Sequence, residues 1–358
     1  MRNQRELSIS FLGPANASST VHRCLLVAQE LDRRGYECNC FSLSGPFSGK
    51  VPNLPNHVSR WRKILGKHPD FLILHRSSNL VDYEMIKRVK KSRSETKVIF
   101  DYDDAIFHTR LPGRIVAYSH LNKILSVSDG VTAGSHYLKA FADMLNENVT
   151  LLPSAVDMEL FNPSVRSTKN GNTTTIGWLG SGVRWQLPYL RILKEPLNAL
   201  AQKYDVKLRI VSALSKAVRK EFVKQRFEVD FGLDHWIPLE QTPELIADFD
   251  IGVMPLTDDK WSQGKCAMKL LEYMSMKLAT VASAVGENRY VIDHGRNGFL
   301  AKSPQEWMDY LERLIVDRDL RKDFGENGYV KVKRAYSLPV VVDTLEHVIR
   351  QINETHQA

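Results

Sequence analysis

The sequence predicts an α/β protein of two doubly wound, Rossmann-like domains facing each other across a cleft. Three observations carry this expectation. Short apolar runs alternate with helix-patterned stretches, which is the sign of parallel sheets built from βαβ units. The alternation stops at a segment rich in Pro, Ser, Asn and Gly, Pro153 to Thr173, and then starts again. A chain of 358 residues is also too long for one compact core and suits two domains. The boundaries read as a first domain at 1–155, a linker at 156–173, a second domain at 174–336 and a final helical segment at 337–358.

In the first half, Leu7 to Leu12 is a strand, Gly13 to Ser19 a small-residue loop, and Val21 to Arg34 a helix closed by Gly35. Strands follow at Tyr36 to Phe41, Phe71 to Leu74, Lys97 to Tyr102, Gly130 to Ala133 and Val149 to Leu152. Helices are expected near Leu80 to Lys91, Ile115 to Leu125 and Ser135 to Leu145. The second half repeats the pattern with a strand at Thr174 to Leu179, a Gly180-Ser181-Gly182 turn and a helix over Leu187 to Lys203. Strands at Lys207 to Val211, Ile251 to Met254 and Leu278 to Ala282 come after it, and Pro339 to Ile352 is a last helix. In open sheets of this kind ligands bind beyond the carboxyl ends of the strands, so the cleft is the expected site.

Composition narrows the function classes. The chain is 43% hydrophobic and 25% charged, as an ordinary globular protein is. No segment has the ~20 apolar residues that span a bilayer, and MRNQRELSISFLG lacks the apolar core of a signal peptide, so the expected location is the cytosol. Cys24, Cys38, Cys40 and Cys266 are too scattered for a disulfide framework and read as reduced thiols. The net charge of +8 is concentrated early: residues 1–155 hold 21 Lys and Arg against 14 Asp and Glu, the remainder 28 against 27. Basic clusters such as Arg60, Arg62, Lys63 and Lys67 could touch an anionic membrane or a phosphate-bearing acceptor, or be solvated helix faces. Nucleic acid is not expected, because no zinc-finger spacing or RNP-like aromatic run accompanies them.

The most informative stretch is GKCAMKLLEYMS, Gly264 to Ser275, with the ATVASAVGEN that follows. Ala267, Met268, Leu271, Met274 and Met276 lie near the spacing of a helix packed on one face, with Gly264 just ahead, where backbone can approach a ligand closely. The first N–H groups of such a helix lack intrahelical partners and sit at the positive end of its dipole, which suits a diphosphate. Lys265 and Lys269 would add charge, and Glu272 could accept two hydrogen bonds from ribose hydroxyls. An amphipathic helix with a solvated Lys/Glu face fits the same pattern, and from the helix alone both readings stand.

These residues resemble those of family 4 glycosyltransferases, enzymes of the two-domain GT-B fold. In that family two glutamates separated by seven residues run into a helix, then "PVVAS-VG-N", then "G-NG-L". Glu272 matches the second glutamate, ATVASAVGEN (Ala279 to Asn288) the strand and turn, and HGRNGFL (His294 to Leu300) the last element. Gly264 stands in the place of the first glutamate, so a branch with GK-x-x-x-K there fits better than the consensus. GVTAGSHYLKAF (Gly130 to Phe141) and LLPSAVDMELFNP (Leu151 to Pro163) are similar to weaker family motifs, and the likeness runs from about Gly13 to Tyr336.

The resemblance implies transfer, with retention, of a sugar from a UDP- or GDP-type nucleoside diphosphate sugar to a hydroxyl acceptor, free or lipid-linked, in polysaccharide or glycolipid synthesis at the inner membrane face. It implies no cofactor and no metal. Asp101-Tyr102-Asp103 matches the DxD of metal-dependent GT-A enzymes, but so short a pattern recurs by chance and the phosphate-binding helix lies in the other half. For the donor the implied residues are Gly13, Arg184, Lys265, Ala267, Met268, Lys269 and Glu272. Asp103, Asp104 and His108, with Lys265, are the candidate catalytic residues, and His75 and Arg76 the candidate acceptor ligands. The final helix resembles the family helix that returns to the first domain, and its periodicity also suits a plain C-terminal cap. The alternatives are another GT-B activity, such as an epimerase or a sucrose-type synthase, and a degenerate protein that binds nucleotide sugar or a partner without turnover; Gly264 favours the last.

Overall fold

The computed structural model describes residues 7–14, 18–43, 54–92, 95–108, 118–166, 171–180, 184–211, 216–233 and 237–355. The chain divides into two compact units, one of Met1–Ala155, Gln263–Cys266 and Leu338–Ala358, the other of Val156–Ser262 and Ala267–Ser337. Each unit carries a six-stranded sheet, all of whose pairings are parallel, flanked by helices.

The first unit runs β1 (Ser8–Pro14), α1 (Leu26–Arg33), β2 (Glu37–Leu43), α2 (Leu54–Gly66), β3 (Phe71–His75), α3 (Leu80–Ser92), β4 (Lys97–Tyr102), α4 (Leu121–Val127), β5 (Gly130–Ala133), α5 (His136–Ala142) and β6 (Val149–Leu151). Its strand order is β2-β1-β3-β4-β5-β6, so the direction of winding reverses between β1 and β3. β3 and β4 are buried along their whole lengths, as apolar parallel strands covered on both faces must be.

Three expectations need correction here. The first strand continues through Gly13 and Pro14, so Gly13 pairs in the sheet opposite Ser42 and does not open a loop. A Cβ on Gly13 would lie 3.0 Å from Thr20 Cγ2 and 3.3 Å from Cys24 Sγ, so the glycine serves close strand–helix packing. The expected helix Val21 to Arg34 is instead a π turn over Val21–Leu25 leading into α1, and the wider turn buries the consecutive residues His22, Arg23 and Cys24. The helix expected at Ile115 to Leu125 is shorter, Leu121–Val127, and residues 115–117 lie outside the described residues.

The second unit runs β7 (Thr174–Leu179), α6 (Leu187–Arg191), α7 (Lys194–Leu200), β8 (Val206–Val211), α8 (Lys216–Phe222), β9 (Glu228–Phe231), α9 (Thr242–Ile246), β10 (Ile251–Met254), α10 (Lys260–Gln263), α11 (Met268–Ser275), β11 (Ala279–Ser283), α12 (Asn288–Val291), β12 (Phe299–Ala301), α13 (Pro304–Val316) and α14 (Arg318–Ala335). Its sheet order, β12-β11-β10-β7-β8-β9, is the 3-2-1-4-5-6 order of dinucleotide-binding folds, with the switch point between β7 and β10. The single helix expected over Leu187 to Lys203 is broken into α6 and α7, because Pro196 has no N–H and is tolerated only in a first turn. Ser181 and Gly182 of the expected turn lie outside the described residues.

The segment before β7 is packed: Phe161 is fully buried and Val156 pairs in parallel with Ser337. The last helix, α15 (Leu338–Thr355), seats Leu338, Val342, Leu345 and Ile349 in the first unit's core with Ile9, Phe11 and Leu31. Arg34 Nη1 adds ion pairs to Asp343 at 2.6 Å and Glu346 at 2.8 Å.

Candidate active site

In the first unit the polar side chains collect at the carboxyl ends of β1, β3 and β4, beside the switch point. Asp101 is the hub. Its Oδ1 accepts from Arg23 Nη2 at 2.5 Å and Thr132 Oγ1 at 2.6 Å; its Oδ2 accepts from Arg23 Nε at 2.8 Å and lies 2.7 Å from His75 Nδ1. Burial alone would raise the Asp101 carboxyl; the Arg23 guanidinium and His75 outweigh it and hold it well below the usual carboxylate range. An ionised carboxylate only accepts, so His75 Nδ1 donates to Asp101.

A second layer lies just past the strand ends. His75 Nε2 is 3.1 Å from Ser19 Oγ and 3.7 Å from Asp103 Oδ1. Arg76, in left-handed backbone at φ 57°, reaches Ser19 Oγ at 3.3 Å, Asp103 Oδ1 at 3.5 Å and Asp104 Oδ2 at 3.1 Å. Burial would lower the Arg76 guanidinium, but Asp104 and Asp103 overcome it and keep it firmly charged. Lys265 Nζ donates to Asp104 Oδ1 at 2.8 Å, and Cys266 Sγ donates to the Asp103 carbonyl at 3.0 Å.

The structure therefore brings His75, Arg76, Asp103, Asp104 and Lys265 together. His108 Nε2 lies 2.8 Å from Tyr137 Oη, and its ring packs against Phe107. Gly264 differs from expectation in what it approaches. A Cβ there would be 2.6 Å from Ala105 Cβ, so its backbone comes close to protein within the first unit, and Lys265 has a carboxylate partner there.

In the second unit the candidate residues surround α11. Paired Gly177 and Gly252 sit opposite each other on β7 and β10 at the switch point. A Cβ on Gly177 would fall 1.9 Å from the Phe249 ring, and one on Gly252 2.6 Å from the Tyr273 ring, so these glycines let the rings lie directly on the sheet. Tyr273 Oη accepts from Leu179 N–H at 2.7 Å and ties α11 to the end of β7. As the crossover from β10 to β11, α11 begins on the carboxyl side of the sheet.

The start of α11 has no side-chain cap. Ala267, the cap residue, is left-handed at φ 55°, and its side chain offers no acceptor, leaving the first-turn N–H groups to other partners. Met268 and Lys269 form that first turn and are half-buried, with Lys269 Nζ 5.9 Å from the centroid of the Trp178 ring. From Leu270 to Ser275 every residue is buried, and Glu272 is only 5% exposed, which removes the alternative of a solvated Lys/Glu face. At the end of β11, Asn288 donates to the Ser283 carbonyl at 3.0 Å while its Oδ1 is buried without a hydrogen-bond partner among the described residues. Arg184 is exposed and lines a cavity of about 570 Å³ with Arg191, Lys220 and Glu221.

Sequence reasoning missed Arg23, Thr132 and Ser19, and passed over Asp101 as a site residue. A charged Arg23 inside the apolar run VHRCLLVA was the available signal, since an arginine there must be either solvated or paired. Among the described residues no group of three or more His, Cys, Asp or Glu side chains is placed to hold a metal ion. None of the described helices is long and apolar enough to cross a membrane.

Residues 173–317 match the family model described as "Glycosyl transferases group 1". Among solved structures, sucrose-phosphate synthase from Thermosynechococcus elongatus superposes with a TM-score of 0.74 at 14% identity, covering 98% of this chain and 100% of that one. Anabaena HepE in complex with UDP and glucose gives 0.67 at 15% identity, covering 96% of this chain and 100% of that one. The lipopolysaccharide outer core galactosyltransferase WaaB, in its apo form, gives 0.64 at 14% identity over 96% of this chain and 99% of that one. The fold is that of GT-B glycosyltransferases, and residues 173–317 are similar to the group 1 glycosyltransferase model.

Proposed function

We propose that the chain is a retaining glycosyltransferase, which moves a sugar from a UDP- or GDP-type donor to a hydroxyl acceptor in polysaccharide or glycolipid synthesis. The observation that carries this reading is the uncapped start of α11, a helix tied to β7 beside the switch point of a 3-2-1-4-5-6 sheet. Such a helix end offers backbone N–H donors and positive potential to a diphosphate. Lys269 and Lys265 add charge, with Ala267 and Met268 giving backbone donors and Glu272 the ribose contact; Arg184 is a second phosphate ligand. HepE, whose structure holds UDP, shares the fold.

As the glycosidic bond breaks, negative charge grows on the departing diphosphate. Donors fixed around it favour the transition state over the ground state, so leaving-group stabilisation is the main catalytic task. The acceptor is held in the first unit by His75 and Arg76, with Asp103, Asp104 and His108 around the reacting hydroxyl. No metal ion or other cofactor takes part in this reading, which places the enzyme in the cytoplasm at the inner membrane face.

A second reading, binding without turnover, rests on Gly264. A side chain there would collide with Ala105, so this position cannot supply the sugar contact its family counterpart makes. Thermal unfolding with UDP, GDP and ADP tests both. A nucleotide at 100 times its Kd should stabilise the protein by about 2.7 kcal/mol. Lys269→Ala and Glu272→Gln should each abolish the shift. No shift with any nucleotide ends both readings, and a shift without nucleotide release from UDP-glucose, UDP-galactose or GDP-mannose leaves the second.

A further inference from the structure

We propose that Trp185, braced by Trp261 and Tyr189, is the platform on which the hexopyranose ring of the donor lies. The inference rests on the glycosyltransferase reading and deepens it by naming what takes the sugar rather than the nucleotide. Trp185 lies in the 3-10 turn Arg184–Gln186 and is 43% exposed, although tryptophan is a highly buried residue on average.

Its place in the sheet makes that exposure informative. The turn follows β7, and Trp261 lies in α10, which follows β10, so the two indoles come from beyond the strands on either side of the switch point. Open α/β sheets bind their ligands in that crevice. The helix α11 is anchored to the same strand end: its Tyr273 Oη accepts from Leu179 N–H at the end of β7, and Lys269 Nζ is 5.9 Å from the centroid of the Trp178 ring. Every one of these residues belongs to the second unit.

The rings make a corner with fixed walls. The Trp185 centroid is 6.4 Å from that of Trp261 at an interplanar angle of 78°, and 6.3 Å from that of Tyr189 at 88°. Edge-to-face contact is a favoured arrangement of aromatic rings, and two such contacts fix the orientation of the exposed indole. Tyr189 is buried with its Oη 3.0 Å from Ser262 Oγ, and Asp259 in turn accepts from Ser262 N–H at 2.9 Å and Ser262 Oγ at 3.2 Å. A ring held from behind in this way loses little side-chain freedom when a ligand meets it. A pyranose carries C–H faces that pack on an indole and a rim of hydroxyls that stays polar, and it is thick enough to fill the angle between two perpendicular rings. A nucleobase is flat and gains most from a ring parallel to it. The ribose has its contact in Glu272 in the proposed function, which leaves the aromatic corner to the hexose.

Calorimetric titration of the wild type, Trp185→Ala and Trp185→Phe with UDP, GDP, UDP-glucose, UDP-galactose and GDP-mannose tests the platform. For a donor that the wild type binds, Trp185→Ala should raise the Kd by about 10- to 30-fold, while the Kd of the matching free nucleotide stays within twofold. Trp185→Phe keeps a π face and should recover most of the loss. Trp185→Leu keeps bulk without a π face, and it takes the place of the alanine variant if circular dichroism shows that one unfolded. Equal weakening of nucleotide and sugar nucleotide, weakening of neither, or a wild type that binds a nucleotide but none of the three donors overturns the platform and leaves nucleotide binding standing. A wild type that binds none of the five overturns both the platform and the proposed function.

Discussion

The two units place polar groups at the same topological position, the carboxyl ends of strands beside a switch point, yet satisfy them in opposite ways. In the first unit positive and negative side chains face one another: Arg23 with Asp101, Arg76 with Asp103 and Asp104, Lys265 with Asp104. In the second the corresponding place holds the start of α11, which has no side-chain cap, and Asn288 Oδ1, which has no hydrogen-bond partner among the described residues. A site whose charges are already paired is set up to orient a neutral hydroxyl. A helix start without a side-chain cap is suited to an anion that arrives with its own charge.

The strongest way to break this contrast is to remove one charge from the first unit. Arg23 and Asp101 have side chains only 3% exposed, so Arg23→Met would leave a buried carboxylate without its main partner. The loss should be about 3 to 5 kcal/mol. Hydrogen exchange followed by mass spectrometry should show it in β1, β3 and β4, with β7, β10 and β11 unaffected. Equal loss of protection in both sheets would mean that the ionic hub is not a property of the first unit.

Acid should act on the same hub more gently, because the carboxylate keeps its partners while it protonates. Asp101 has a folded-state pKa below its unfolded one, so its contribution is fully present above about pH 4, the ordinary carboxylate value, and fades as pH falls through the depressed folded value. An acid titration from pH 5 downward should therefore unfold the first unit before the second. A second sheet that loses exchange protection first would contradict the comparison.

How much of this was legible in the sequence follows the same division. The strands Lys97–Tyr102, Gly130–Ala133, Thr174–Leu179 and Ile251–Met254 were legible because a strand buried on both faces is mostly apolar and stands out from its polar flanks. α2 (Leu54–Gly66) went unread because LPNHVS opens like a loop, and β9 because EVDF is a short edge strand with no fully buried residue. The residues around α11 could be singled out because they are contiguous. Arg23, Asp101 and Thr132 could not, because 78 residues separate the first two and only the fold brings them together. Gly264 was visible as a glycine, but its neighbour Ala105 was not.

The smallest expected effect concerns how the two units end a helix. α1 closes with Gly35 N–H on the Asp32 carbonyl and Tyr36 N–H on the Leu31 carbonyl, and Gly35 sits at φ 92°. α11 closes with the same pair of bonds, Lys277 N–H to Met274 and Leu278 N–H to Tyr273, but the left-handed residue is Lys277 at φ 56°. A β-carbon in that conformation costs roughly 1 kcal/mol, which glycine avoids. Lys277 also pairs with Glu326 at 2.9 Å, an exposed contact worth at most about 1 kcal/mol. Lys277→Ala loses the ion pair and keeps the strain, whereas Lys277→Gly loses both. Lys277→Gly should therefore be the more stable of the two variants by about 0.5 to 1 kcal/mol in urea unfolding, despite the greater freedom glycine gives the unfolded chain. The reverse order would mean that the turn after α11 is held by the Lys277 side chain and not by its backbone.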